Sequence, residues 1–167
     1  MEMARHKFHW EYHEYDTAKE ELERIRKSID RRLNWLIDTQ RAYGDRISVA
    51  NSREADEFIT KLSKAMTNYS DFTQSITRVR ELKNTLHVNH SVFEQRAATF
   101  LKEGGRDSVF APQLHQMNMV TEQVNIDCAY YDQVLERAKT VLDTSQGRLN
   151  LLRGSQGAET VKLQGIQ

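Results

Sequence analysis

The sequence predicts an all-α protein: an elongated, antiparallel, up-down-up bundle of three helices with coiled-coil-like packing. Three observations carry that prediction. Apolar residues recur at alternating three- and four-residue spacing, most cleanly at Tyr15, Ala18, Leu22, Ile25, Ile29, Leu33 and Leu36. This spacing keeps one stripe on one face of a helix. The strongest helix breakers fall between such stretches, at Gly44, at Gly104-Gly105 and at the single proline, Pro112. Strand signals are absent, because the β-branched residues stand singly among helix formers.

The first helix is expected to start within the first ten residues and to end near Tyr43. Its stripe extends backwards through Tyr12 and Phe8. Glu20 with Arg24 and Glu23 with Lys27 give four-apart pairs in the favourable order. Gly44-Asp45 is a suitable stop, since glycine accepts the left-handed conformation of a C-terminal cap. Asn51 and Glu54 then read as a capping box, with Val49 as a staple.

The second helix runs on Ala55, Phe58, Leu62, Ala65 or Met66, Tyr69, Phe72, Ile76, Val79, Leu82, Leu86, Phe93, Ala97 and Phe100. It stops at Gly104-Gly105. Between Leu86 and Phe93 the core slot falls on Asn89 or His90. A polar residue there costs stability and fixes register, or else the helix breaks. Pro112 suits the first turn of the third helix, with Asp107 or Ser108 as its cap. That helix carries Leu114, Met117, Val120, Val124, Cys128, Tyr131, Leu135, Ala138, Leu142, Ser145, Leu149 and Leu152. At roughly 40 residues or more, each helix is roughly 60–70 Å long at ~1.5 Å rise per residue. Short connections make neighbours antiparallel.

A chain of 167 residues is of single-domain length. Residues 1–153 are expected to form one helical bundle domain. Residues 154–167 are a Gly- and Gln-containing extension, either a frayed helix or an association segment. Charged residues make up 29% and hydrophobic residues 38%, the balance of amphipathic helices with narrow buried stripes. Lys plus Arg equals Asp plus Glu at 24 each, which removes long-range steering towards nucleic acid or an anionic membrane. Cys128 is the only cysteine, so no internal disulfide forms, and the expected location is a reducing cytoplasm. The polar, His-rich start lacks a signal-peptide core, and no window reaches the length of a membrane span.

Several residues invite a chemical reading. His6, His9 and His13 share one helix face and are candidate ligands for Zn²⁺ or Ni²⁺, with Glu2 or Glu14 nearby; the bland reading is a His-rich terminal turn. His87 and His90 lie three apart near Asn84, Asn89 and Glu94, as a bundle metal or proton-sensing site or as a polar core layer. Cys128 falls on the apolar stripe and reads as a small core residue. The basic run Arg24, Arg26, Lys27, Arg31 and Arg32 can meet phosphate, or can be a solvated helix face balanced by Glu20, Glu21 and Glu23. Trp35, beside the stripe at Leu36, is a contact candidate or a packing residue. Gly147 and Gly154 lie seven apart, and Gly154 and Ala158 four apart, a small-residue spacing that lets helix backbones approach.

No phosphate-binding glycine loop, nucleophile elbow, paired-cysteine motif or EF-hand loop is present. The expected function is therefore that of a non-enzymatic helical scaffold or interaction module, without a cofactor. It would act by helix–helix association with protein partners and with copies of itself. Its candidate contact residues are Trp35, Asn89, His90, Leu149, Leu152 and Gly154. Nucleic acid is not an expected partner, and membrane association is expected only indirectly, through a larger assembly. One alternative is a soluble cytosolic stalk of a membrane-associated or channel-like assembly, in which the third helix continues through Gly154. Another is a metal-binding helical protein using the N-terminal histidines.

Overall fold

The structure of the protein is a computed structural model. It describes the backbone of residues 2–43, 52–106 and 110–164, with the surroundings of side chains followed as far as residue 151. Three helices make up the fold: α1 (Glu2–Tyr43), α2 (Ser52–Lys102) and α3 (Ala111–Gln164). They pack against one another as an all-α three-helix bundle, and no strand occurs among the described residues. The caps proposed at Gly44-Asp45, Asn51, Asp107 and Ser108, and the staple at Val49, lie outside the described residues. Glu54 does fall in the first turn of α2, where a carboxylate suits the positive end of the helix dipole.

The chain divides into two compact units, and each helix contributes a stretch to both. Unit 1 comprises Met1–Glu23 and Thr73–Gln133; unit 2 comprises Arg24–Phe72 and Val134–Gln167.

In unit 1 the interior is built on Phe8, Tyr15, Leu22, Ile76, Val79, Leu86, Phe93, Val124 and Tyr131. Arg80 pairs with Asp132 at 2.6 Å, and His87 with Asn125 at 3.0 Å. Rising numbers on α2 thus meet falling numbers on α3, so these two stretches run in opposite directions. The end of α2 is an αL cap of Schellman type. Gly104 sits at φ +90° and donates its N–H to the Leu101 carbonyl at 3.1 Å; the Gly105 N–H reaches Phe100 at 3.0 Å. A side chain at Gly105 would collide with the Phe100 ring, which packs edge-to-face on Phe110 at 5.1 Å. The second glycine is thus needed for space and the first for its backbone angle.

In unit 2 the core is mainly aliphatic, with Ile29, Leu33, Leu36, Leu62, Ala65, Ala138, Leu142 and Leu149, and it also buries Phe58 and Phe72. The choice between Ala65 and Met66 falls on Ala65, which is buried while Met66 is exposed. Ser145 is also buried, and its hydroxyl donates to the Val141 carbonyl at 2.7 Å while accepting from Gln40 at 2.7 Å. Arg148 donates to the Gln40 carbonyl at 3.1 Å. That satisfies one of the carbonyls left open at the C-terminal end of α1.

Candidate functional site

Two surfaces emerge from the packing. One is a cleft in unit 2, on the flank of α1 facing α2. Ile29, Leu33 and Leu36 form the buried stripe of α1 there. Ser28, Arg32 and Trp35 each precede a stripe position by one residue, about 100° around the helix. They form a second row along the edge of the core. With Arg31 and with Lys61 from α2, they line a cleft of about 320 Å³. Trp35 packs on the core cluster and lies 6.3 Å from the Phe58 ring, centroid to centroid. Lys61 places its Nζ 4.0 Å over the Trp35 ring, a cation–π contact, and pairs with Glu57 at 2.9 Å. Hydrogen bonding and attraction from Lys61 hold the Glu57 carboxyl below its usual range. Asn68 donates to Ser28 at 2.8 Å and closes one side.

The basic run singled out in the sequence is split by this arrangement. Arg26 is neutralised by Asp30 at 2.7 Å. Arg31 spends its Nε on the Lys27 carbonyl at 3.3 Å, a neutral acceptor. The Arg32 Nε is buried with no hydrogen-bond partner. Neither Arg31 nor Arg32 pairs with an acid among the described residues.

The second surface is the outer face of α3 in unit 1. Met119 is 56% exposed, Ile126 57% and Tyr130 45%. Their spacings of seven and four residues place them on one side of the helix, opposite the buried Met117, Val124 and Cys128. Between Ala111 and Tyr131 only Glu122 and Asp127 are charged. Asp127 is taken up internally: it accepts from Lys19 at 2.5 Å, from Tyr15 at 3.0 Å and from Gln123 at 2.9 Å. Burial alone would raise its carboxyl, but these hydrogen bonds and the Lys19 charge outweigh burial and hold it below the usual range. Burial, reinforced by the Asp127 charge, pushes the Tyr15 phenol well above its ordinary value. Sequence reading by stripes missed this face, because a stripe search looks for buried residues. The signal was the charge-poor window.

The other candidates separate. Asn89 is 7% exposed in the interior of unit 1, and α2 continues through it without a break. Its Nδ2 lacks a partner, as does the buried Nε2 of His90, whose nearest acid, Glu94, is 3.9 Å away. Leu149 is buried in unit 2, so its side chain packs within the bundle and not on the surface. The side chain of Leu152 lies outside the described residues, while Gly154 lies within α3, which runs on to Gln164. His6, His9 and His13 are all exposed, and among the described residues no three His, Cys, Asp or Glu side chains gather to hold a metal ion. Cys128 is buried, and burial pushes its thiol up, so it has neither the access nor the ionisation of a reactive cysteine. No helix among the described residues is long and apolar enough to cross a membrane.

No protein-family model, curated protein or solved structure matches this chain.

Proposed function

We propose that the chain is a non-enzymatic helical interaction module that associates with a second copy of itself through the outer face of α3. The single observation that carries this reading is the charge-poor face bearing Met119, Ile126 and Tyr130. Protein interfaces are depleted in charge at their centres and enriched in Met and aromatic residues. Charge also argues for the identity of the partner. A two-fold pair brings a face against itself, so a face carrying charge of one sign repels its copy unless opposite charge lies on the same face. This face offers only Glu122, because Asp127 is engaged by Lys19, Tyr15 and Gln123. A strongly charged partner would find nothing to pair with. Docking a second helix of the same kind, in coiled-coil fashion, gains burial worth roughly 25 cal/mol per Å² of apolar surface covered.

A single, buried, unpaired thiol suits a reducing, cytoplasmic setting for such a module. Light scattering coupled to size exclusion tests the association. A dimer mass at high micromolar concentration is expected, and a monomer mass there would remove the reading.

A second reading has one observation in its favour. The continuation of α3 past Gly154 to Gln164 is what a stalk-like role in a larger assembly requires. In that case the small-residue face at Gly147 and Gly154 would be the seam.

A further inference from the structure

We infer that the cleft around Trp35 is a binding site for a phosphomonoester group. Its wall carries three cationic side chains, Arg31, Arg32 and Lys61. Among the described residues only Lys61 of the three pairs with an acid, Glu57. Two guanidinium groups at one cleft therefore have no acid paired with them among the described residues. The Arg32 Nε is buried without an acceptor among the described residues, a costly arrangement in this wall.

Charge selects the ligand class. A phosphomonoester carries about −1.5 to −2 at neutral pH and offers three strong acceptor oxygens. Two guanidinium groups match that charge, and their planar donor forks match its oxygens. A lone carboxylate would leave one cation unanswered. The rest of the cleft suits the organic part of such a ligand. Trp35 gives a flat wall held in place by the core, and the Lys61 ammonium is fixed above its ring. The volume of about 320 Å³ lies at the lower end of the ~300–1,000 Å³ of small-molecule sites. The site is built on helices, not on a loop, so its groups are positioned before the ligand arrives. It is independent of the association face, which lies on α3.

The free phosphate compound and the lipid headgroup share this chemistry, and the test separates them. Trp10→Phe leaves Trp35 as the only tryptophan, and Trp10, 61% exposed, can be replaced without opening the core. Trp35 fluorescence is then followed in three titrations at constant ionic strength: inorganic phosphate, phenyl phosphate, and phosphatidylcholine vesicles with and without phosphatidic acid. Sodium chloride is the control.

A saturable change is expected in at least one arm. Response to the soluble compounds assigns a free ligand, and response to phosphatidic acid alone assigns a headgroup. Arg32→Gln should weaken that binding at least tenfold, and Arg96→Gln, in unit 1, should leave it unchanged. Arg31→Gln should weaken it too, and because Arg31 is exposed this variant keeps the core intact. Circular dichroism confirms folding of each variant. No saturable change in any arm, an equal change with chloride, or undiminished binding in both Arg31→Gln and Arg32→Gln overturns the assignment.

Discussion

Unit 1 buries Glu11, Asn89 and Thr121 among Phe8, Tyr15, Phe93 and Tyr131; in unit 2, Ser145 is the buried polar residue among the described ones, set in a mainly aliphatic core. The surfaces reverse the contrast. Unit 1 presents a charge-poor outer face on α3 with exposed Met119, Ile126 and Tyr130, while unit 2 presents a cationic cleft beside its most regular stripe. The comparison separates two uses of polarity. In unit 2 the buried hydroxyl of Ser145 has both a donor and an acceptor partner, so the core loses nothing. In unit 1 the Thr121 hydroxyl returns to the Met117 carbonyl at 3.0 Å, but the Asn89 amide nitrogen meets no partner. Such groups cost stability, and they discriminate against misaligned packing.

The largest effect is expected at the polar network of unit 1. Asp127→Asn should cost about 2 kcal/mol, because Lys19 and Tyr15 lose a charged acceptor in a partly buried site. Denaturant unfolding reads this. The same carboxylate sets a pH dependence. Its folded-state ionisation is depressed, so the unfolded chain binds more protons in the acid range. Its contribution is therefore present above the ordinary Asp value of about 4 and is lost as pH falls through the folded value. The acid slope of stability should flatten in Asp127→Asn. An unchanged slope would place the network's worth elsewhere.

A smaller gain is expected from Asn89→Leu. Removing an unsatisfied buried amide should raise stability by about 1 kcal/mol. If Asn89 fixes register, the variant should also show broadened or doubled NMR resonances at its neighbours. A fall in the unfolding midpoint would mean that the amide is satisfied in solution.

The smallest effect belongs to unit 2. A Cβ at Gly147 meets nothing within 4 Å, so Gly147→Ala should stabilise α3 by about 0.5–1 kcal/mol. The same variant tests the stalk-like reading. If this face were a close-packed seam between copies, alanine would weaken association instead of only stiffening the helix.

The comparison also explains what was legible in the sequence. Most stripe residues from Tyr15 to Leu36 and from Met117 to Leu149 are in the cores, with Ile25, Val120 and Leu135 half-buried, because three- and four-residue spacing leaves a helix no other way to bury them. Gly104 and Gly105 marked the end of α2 because a positive φ and the Phe100 ring both demand glycine. Pro112 is the second residue of α3, where its missing N–H costs nothing.

Glu11 was not legible as a buried position. Its neighbours Phe8 and Tyr15 define the stripe, but a carboxylate is read as exposed by default. The cleft was half legible. Trp35 and the arginines each stood out, yet only packing shows that Lys61, far along the chain, completes the same wall and that Asp30 removes Arg26 from it. Periodicity places residues on a face of their own helix; it does not say which side chain of another helix lies opposite.

The central claim, association through the outer face of α3, is tested most directly by sedimentation velocity on the intact chain and two charge variants. Ile126→Glu puts a like charge at the middle of the self-paired face, while Val88→Glu puts one at an exposed apolar position on α2. The unaltered chain and Val88→Glu should sediment as dimers with the same concentration dependence, and Ile126→Glu should sediment as a folded monomer. A dimer that survives Ile126→Glu unchanged, or an unaltered chain that remains monomeric throughout, would contradict the account.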